Sequence, residues 1–499
     1  MGVLLTLYAA LRLPHLAILP PFDDESDYAW DALLVRSYVG ARQWNGLFVS
    51  LHDGVPPLFP WLLAILLGLP LDPVVAARLL SVLAGAGTLL TLYIAGWRWT
   101  SPRAGLIAAL LYIACPFALF TDRIGLLDGL LAAWALGAGV LAWQACGVDG
   151  GPGTAAAAGL CLAAAVLTKT LGALGCGLPL LAYWLHQGRG PLLLGTGHWQ
   201  RPTGPDATAR RRRAVEISYV VALAICGVLL FSRQFANLLY PYRLQSSVAQ
   251  GGPGAHSGAA LAALADYGWR YLTPPLAVGT AISLAWALLY ARGTVRYLAW
   301  WVVLAGGLLV VSAGAFFPPR YLAQLVPPLL LCTAAAADAL LKRLPLWGGP
   351  MLAMIGLSAL IWSVPFDRAL LENPVAAPLP AVDHAQYITG WPAGFGLPQA
   401  LALVRRLGGT APTLYVLGVT NPPFTQAQVA LRDRTSARVV GVRPDRPISC
   451  AGPATFALLD TPRDDETAFR RVNGAWRRVV AFQRPEQGGA YVLYRCRAA

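Results

Sequence analysis

Apolar segments of membrane-crossing length, roughly 20 residues, recur along this chain of 499 residues. Hydrophobic residues make up 57% of the sequence, and the mean hydropathy is +0.55. A chain this apolar cannot fold as one soluble domain, because its surface would expose too much hydrocarbon to water. The sequence therefore predicts an α-helical polytopic membrane protein.

We expect about eleven transmembrane helices by the yardstick of a ~20-residue span. The apolar segments lie at residues 2–19, 74–97, 104–121, 126–146, 155–169, 171–186, 214–232, 271–291, 297–316, 321–341 and 349–365. Two of them are short and meet at Lys169, which predicts a broken or strongly tilted pair. The run 56–69 is also short and is flanked by proline, so we interpret it as a re-entrant or interfacial helix.

Basic loops predict the topology, because Lys and Arg accumulate on the cytoplasmic side of a membrane. With the run 56–69 treated as non-spanning, the following basic groups share that side: Arg98 with Arg103, the stretch 189–213, Arg292 with Arg296, and Lys342 with Arg343. The opposite, outer side then receives the acids at 23–27, the region 122–128, Lys169, the loop 233–270, Arg320 and everything after residue 365.

The formal net charge of +14 does not indicate a nucleic-acid partner. The basic residues punctuate the apolar segments and form no single patch with interleaved aromatic residues. All of them are Arg except Lys169 and Lys342, which makes Lys169, inside an apolar region, conspicuous.

The composition becomes polar from about Phe366 onward. The β-like runs TLYVLGV, ARVVGV, ATFALLD and AYVLYR are separated by Pro, Gly and charged residues. We therefore predict a membrane domain at 1–365 and a small extracytoplasmic α/β domain at 366–499. Cys450 and Cys496 lie in the second domain and could form a disulfide in an oxidising compartment.

The string PPFDDESDY, residues 20–28, concentrates acids between two apolar stretches. Carboxylates beside a bilayer are costly, so such a cluster is by default a site hypothesis. Asp23, Asp24 or Ser26 could instead cap a helix that continues from Tyr28 to about Trp44 along the membrane surface. Capping accounts for only part of the cluster, and the first outer loop, 20–55, is the predicted catalytic loop.

Other charged residues on the predicted outer side could serve a site. Arg123 and Asp128 could pair with each other or with the first loop, as functional groups or as an ordinary ion pair. Lys169 and Arg320 could hold a lipid phosphate, or simply snorkel to the interface. His52 and Asp53 could extend the site or be ordinary loop residues. We assign no chemistry to Arg12, Arg78 or Asp338; Asp338 could pair with Lys342 one turn on.

Several short motifs together resemble the GT-C membrane glycosyltransferases. In chain order they are Asp24-Glu25-Ser26-Asp27-Tyr28-Ala29, Pro56-Pro57-Leu58, Arg78-Leu79, Arg123 to Asp128, Leu167-Thr168-Lys169, and Pro319-Arg320-Tyr321 with Pro327. The dolichyl-phosphate-mannose protein mannosyltransferases and the bacterial lipid A aminoarabinose transferase are the most similar groups. The resemblance covers roughly residues 1–345, and a segment from Gln386 to Gly396 also looks like one in bacterial members.

The resemblance implies inverting transfer of a sugar from a polyprenyl-phosphate donor to a lipid, glycan or protein hydroxyl at the outer membrane face. It implies Asp24 as catalytic base, with Glu25 and Asp128 as further catalytic acids. The implied donor-phosphate ligands are Lys169, Arg320, Tyr321 and Arg123, and a possible acceptor or donor site comprises His52, Asp53 and Tyr28. The aminoarabinose transferases carry Glu-Lys just before Pro56, where this chain has Gly54-Val55, so the sugar is left open.

Two further predictions concern cofactors and alternatives. A divalent metal is compatible with so many acids but not required, since no His-based ligand set accompanies them. A transporter or flippase of lipid-linked sugars could also use rim cations to grip phosphate. Such a protein is expected to carry charges near the bilayer midplane and paired repeats, whereas these charges gather at the predicted rim. A structural or assembly protein leaves the acid and cation motifs unexplained.

Overall fold

The computed structural model describes residues 1–187, 205–232, 236, 254–313, 317–417, 423–432, 436–443, 446–461 and 463–497. Much of the basic stretch 189–213 and of the loop 233–270 therefore lies outside the described residues. The chain divides into two compact units. The membrane unit comprises Met1–Pro14, Val35–Leu66 and Arg78–Arg368, and the C-terminal unit comprises His15–Leu34, Leu67–Ala77 and Ala369–Ala499. The predicted boundary at residue 365 stays a prediction.

Each of the predicted apolar segments contains an α-helix. Along the first 372 residues the helices are Gly2–Arg12, Asp23–Gly40, Leu58–Leu66, Pro73–Trp99, Pro102–Ala114, Pro116–Arg123, Leu127–Ala145, Pro152–Thr168, Leu178–His186, Pro205–Cys226, Ser257–Tyr271, Pro274–Leu289, Thr294–Val311, Val326–Arg343 and Gly348–Glu372. Within the described ranges, 5 of the helices are long and apolar enough to cross a membrane, or up to 6 if one bent pair is a single span. The expected number of about eleven is not confirmed, because several segments form helices shorter than ~20 residues.

The breaks in these helices follow the sequence. Pro102–Ala114 and Pro116–Arg123 are bent by 64° at Cys115, where the residue before a proline takes an extended conformation. Lys169 is also extended and separates Pro152–Thr168 from the next turn, as predicted. The helix Leu58–Leu66 has 9 residues, which is too short to cross a ~30 Å hydrocarbon core and agrees with its interpretation as non-spanning.

The C-terminal unit contains a five-stranded sheet with the order β2-β1-β3-β5-β4. Its strands are β1 Thr413–Leu417, β2 Arg438–Val442, β3 Thr455–Thr461, β4 Trp476–Gln483 and β5 Ala490–Cys496. β1 pairs in parallel with β2 and β3, whereas β5 is antiparallel to β3 and β4. The α/β prediction is confirmed for this sheet, and its β-like runs are four of the strands; the edge strand β4 was not predicted.

The remaining α-helices of this unit are Ala381–His384, Leu397–Gly408, Pro423–Leu431 and Glu466–Val472. An apolar core joins Leu401 and Val404 to Leu414, Phe456 and Leu493 of the sheet. Cys450 and Cys496 form a disulfide that links residues 46 apart in the sequence.

Candidate active site

Asp23, Asp24 and Glu25 lie in the first turn of the helix Asp23–Gly40, named the acidic helix, and Asp27 follows in its second turn. Glu25 is fully buried, and its Oε2 accepts a hydrogen bond from the backbone N–H of Phe22 at 2.9 Å. Ser26 Oγ donates to the Phe22 carbonyl at 3.3 Å. A glutamate that reaches back three residues to a backbone N–H is half of a capping box. Glu25 thus makes a capping contact at the start of this helix, and Asp24 is half-buried; capping by Asp23 or Asp24 stays a prediction.

The start of the acidic helix contacts other parts of the C-terminal unit. The backbone N–H of Asp23 donates to the Pro392 carbonyl at 3.2 Å, and Gln426 Nε2 donates to the Pro21 carbonyl at 2.7 Å. The rings of Phe22 and Tyr387 lie 4.6 Å apart. The segment 386–396, singled out by resemblance, thus packs against the residues that begin this helix.

Within the membrane unit, Asp128, Lys169 and Tyr321 form a compact group, named the Lys169 centre. Lys169 Nζ lies 2.6 Å from Asp128 Oδ1 and 4.9 Å from the centroid of the Tyr321 ring. Asp128 sits in the first turn of the helix Leu127–Ala145, where the helix dipole favours a carboxylate. The Lys169 side chain is 16% exposed and that of Asp128 is 4% exposed. The structure therefore brings together three residues that the sequence analysis selected separately.

The two arginines assigned to the donor phosphate have different surroundings. Arg320 is half-buried and precedes Tyr321 in the 3-10 helix Pro319–Leu322. Arg123 is buried, and its NH1 donates to the carbonyls of Arg12 at 2.6 Å and Pro14 at 2.7 Å. Arg12 is the last residue of the helix Gly2–Arg12 and Pro14 lies just beyond it, so Arg123 places a cation at a helix C-terminus. Its phosphate role stays a prediction.

The residues of the possible acceptor or donor site belong to different units. Tyr28 is buried on the acidic helix in the C-terminal unit. His52 and Asp53 are exposed at the end of the 3-10 helix Trp44–Asp53 in the membrane unit. Their binding role stays a prediction. In the described part of the chain no group of three or more His, Cys, Asp or Glu side chains is arranged to hold a metal ion.

A buried polar cluster in the membrane unit was not predicted, and we name its residues, Tyr8, Arg12, Tyr112 and Asp122, the Asp122 network. The hydroxyls of Tyr8 and Tyr112 donate to the Asp122 carboxylate at 3.0 and 2.9 Å. Arg12 Nε lies 3.5 Å from the same carboxylate, and its terminal nitrogens donate to the backbone carbonyls of residues 112 and 113. Tyr8 and Arg12 lie one helical turn apart, which is the only sequence signal for this network.

Two further charged residues of the membrane unit, Asp338 and Arg12, are buried and paired. Asp338 is fully buried, and its Oδ2 lies 2.6 Å from Lys342 Nζ, so the expected pair is confirmed. Arg12, to which the sequence assigned no chemistry, pairs with Asp122 in the network described above.

Part of the chain that carries these residues is similar to a known protein family. Residues 54–198 match the family model described as dolichyl-phosphate-mannose-protein mannosyltransferase. This match includes Asp128 and Lys169 but neither the acids at 23–27 nor Arg320. None of the curated proteins matches the chain.

Two solved structures are similar over most of the chain. ArnT from Cupriavidus metallidurans, bound to undecaprenyl phosphate, matches with a TM-score of 0.58 and 17% identity over 99% of this chain and 96% of its own. The archaeal oligosaccharyltransferase AglB from Archaeoglobus fulgidus, in complex with an inhibitory peptide and a dolichol-phosphate, matches with a TM-score of 0.52 and 10% identity over 92% and 68%. At these identities the likeness shows the fold. Together with the family match it confirms the resemblance to GT-C membrane glycosyltransferases, and it gives no support to the transporter alternative.

Proposed function

We propose that this GT-C-like membrane protein is a glycosyltransferase that moves a sugar, with inversion, from a polyprenyl-phosphate donor to a lipid, glycan or protein hydroxyl. The observation that carries the proposal is the Lys169 centre, which lies largely within the segment matched by the mannosyltransferase family model. The undecaprenyl phosphate and dolichol-phosphate bound by the two similar structures support a lipid phosphate as the leaving group.

The Lys169 centre suits a leaving phosphate for electrostatic reasons. Lys169 is a cation whose Nζ donates a hydrogen bond to Asp128 Oδ1. The ammonium also lies over the face of the Tyr321 ring, in a cation–π contact. As the anomeric C–O bond breaks, negative charge grows on the phosphate, so a fixed cation binds the transition state more tightly than the ground state. Asp128 then orients Lys169, and Arg320 supplies a second cation.

The reaction also requires removal of a proton from the acceptor hydroxyl. Asp24 is the proposed base: its carboxylate accepts that proton while the hydroxyl oxygen forms a bond to the anomeric carbon and polyprenyl phosphate leaves from the opposite face. General-base catalysis of this kind contributes about 10²–10⁴ in rate. Glu25 is the second acid of the Asp-Glu pair. Because it accepts a hydrogen bond from the backbone N–H of Phe22, it is proposed to stabilise the first turn of the acidic helix.

The proposed location is the plasma (inner) membrane of a bacterial cell envelope, as a multi-pass protein with the catalytic loop and the C-terminal domain outside the cytoplasm. The basic loops support this orientation, and the Cys450–Cys496 disulfide suits an oxidising compartment. A reporter fused after Phe366 is expected to be active outside the cytoplasm. A cytoplasmic reporter would contradict the orientation.

The test is a transfer assay with the purified full chain in lipid nanodiscs and a panel of polyprenyl-phosphate sugars, including those carrying mannose and aminoarabinose. We expect release of polyprenyl phosphate by the wild type, and a fall of about 10²-fold or more for Asp24→Asn. Asp27→Asn is the matched control, since it makes the same change on the same helix and is expected to stay within about twofold of the wild type.

Three results would count against the proposal. Undiminished transfer by Asp24→Asn would remove Asp24 as the base. Equal losses in Asp24→Asn and Asp27→Asn would indicate a general effect of charge. Movement of a lipid-linked sugar across a vesicle membrane without its consumption would replace the transferase by a transporter.

A further inference from the structure

Gln426 is a buried polar residue with no role in the chemistry described so far. It lies in the helix Pro423–Leu431 and is 4% exposed. Its Nε2 donates to the carbonyl of Pro21, a residue 405 positions earlier in the chain, at 2.7 Å. A buried amide that makes such a bond is costly to leave unpaired, so this contact selects one position for the chain at Pro21.

Gly394 also lies close to the Pro21 carbonyl. A Cβ added at this glycine would lie 2.2 Å from the Pro21 oxygen and 3.1 Å from Gln426 Nε2. Any side chain at residue 394 would therefore push the backbone at Pro21 out of its place. Two residues earlier, the Pro392 carbonyl accepts the N–H of Asp23. That N–H is one of the four at a helix start that have no partner within the helix.

Apolar contacts fix the same helix further along. Phe22 packs on Tyr387, and Ala29 forms a buried cluster with Val74 and Val429. Val429 follows Gln426 on one face of its helix, so a single helix of the C-terminal unit holds both the entry and the second turn of the acidic helix.

From these contacts we propose that the segment 386–396 and the helix Pro423–Leu431 act on catalysis by positioning Asp24, which belongs to the same compact unit, with Gln426 as the principal positioning residue and Gly394 as the site of obligatory close approach. The inference rests on the proposed role of Asp24 as the base. It assigns the domain a function other than binding the acceptor or covering a site. Displacement of a catalytic group by about 1 Å can cost on the order of 10²-fold in rate, so small movements of this turn matter.

The test compares Gln426→Met, which keeps length but loses the donor, with Gln428→Met on the same helix as the matched control. Transfer kinetics and amide hydrogen exchange are measured on the full chain. For Gln426→Met we expect kcat to fall about fivefold to tenfold with the donor KM within about twofold, and exchange of amides 22–30 to rise by a similar factor. Gln428→Met is expected to match the wild type in both measurements.

A second comparison uses glycine. Gly394→Ala is expected to lower kcat by more than tenfold, whereas Gly474→Ala, where an added Cβ meets nothing within 4 Å, is expected to leave it unchanged. Unchanged exchange in strand β5 shows that the domain stays folded in each variant, so that loss of transfer is not simple unfolding.

The outcomes separate the inference from the function on which it rests. Unchanged exchange of amides 22–30 in Gln426→Met overturns the inference whether or not the protein transfers sugar. Faster exchange with an unchanged kcat also overturns it. Faster exchange in a protein whose wild type transfers nothing overturns the proposed function, and with it the catalytic part of the inference.

Discussion

Asp122 and Asp128 lie close together in the sequence, on either side of the break between the helices Pro116–Arg123 and Leu127–Ala145, yet their surroundings differ. Both are almost completely buried, at 1% and 3% exposure. Asp122 receives hydrogen bonds from two tyrosine hydroxyls and lies beside Arg12, which is fully buried. Asp128 contacts Lys169, a cation that keeps 16% of its side-chain surface exposed.

The difference separates a structural carboxylate from a candidate functional one. The two tyrosine hydroxyls and the Arg12 guanidinium around Asp122 are buried and contact the same carboxylate, so a ligand has no access to it and the members of the network depend on each other. The ammonium of Lys169 can exchange or share its partners with an incoming anion. We therefore expect substitutions at Asp122 to change folding, and those at Asp128 to change transfer.

Substitution of Asp122 is expected to have the largest effect on stability. Asp122→Ala leaves the Arg12 charge and two tyrosine hydroxyls buried without the carboxylate, at a cost of about 3–5 kcal/mol in the free energy of unfolding. Chemical denaturation of the full chain in detergent, followed by near-ultraviolet circular dichroism, measures it. Asp128→Ala is the control and is expected to lose clearly less. Equal losses would abolish the distinction between the two acids.

Substitutions in the Lys169 centre are expected to act mainly on transfer. Lys169→Met removes the cation but keeps much of the side-chain volume, and we expect kcat to fall by about 10²–10³. Asp128→Asn is expected to fall less, because it weakens the orientation of Lys169 but leaves its charge. Lys342→Met breaks the i, i+4 pair with Asp338 and provides a control at another lysine. Transfer that is insensitive to Lys169 but sensitive to Lys342 would contradict this assignment.

A second buried carboxylate with a buried arginine partner, Asp460 in the C-terminal unit, tests whether burial alone defines the structural class. Asp460 Oδ1 lies 2.6 Å from Arg484 NH2, and burial raises the pKa of Asp460 to about 6 against the opposing effect of the guanidinium. In the unfolded chain an Asp titrates near 3.9. The folded state thus binds the proton more tightly, and the contribution of Asp460 to stability falls as the pH rises from about 4 to about 6.

The expected size of that change is at most about 3 kcal/mol, from a difference of roughly two pKa units. Chemical denaturation at a series of pH values between 4 and 7 measures it, with Asp460→Asn as the variant that lacks the titrating group. The neutral amide of the variant resembles the protonated carboxyl, so the variant is expected to show a flatter dependence on pH and to gain stability relative to the wild type as the pH rises. Parallel curves for the two proteins would exclude Asp460 as the origin of the slope.

The sequence predicted well those features that depend on neighbouring residues. Apolar length identified the helices, and the polar break at Lys169 was visible because a lysine interrupts an apolar run. Runs rich in Val, Leu and Tyr identified four strands. The edge strand β4 was missed because Arg477 and Arg478 face solvent and interrupt the apolar pattern.

Contacts between distant segments could not be predicted in the same way. Gln426 and Pro21 are 405 residues apart, and a single Gln in a short helix carries no signal of its partner. Tyr8 and Arg12 could be placed on one helix face from the sequence. Their partner Asp122 lies in the helix Pro116–Arg123, and the sequence analysis had placed the region 122–128 at the outer membrane surface instead. The choice of Glu25 for the helix cap likewise depends on the residue at which the helix begins.

Packing against the Asp122 network provides the last and smallest test of the comparison. A Cβ added at Gly85 would lie 2.2 Å from the Tyr8 hydroxyl and 2.5 Å from Asp122 Oδ1, whereas one added at Gly87 on the same helix meets nothing within 4 Å. Since the added Cβ would overlap buried atoms of the network, Gly85→Ala is expected to destabilise the fold by about 1–3 kcal/mol, while Gly87→Ala is expected to match or slightly exceed the wild type in stability. The same denaturation measurement decides it. If the two variants have the same free energy of unfolding, the residues around Asp122 can rearrange at little cost. Tight packing would then no longer distinguish Asp122 from Asp128.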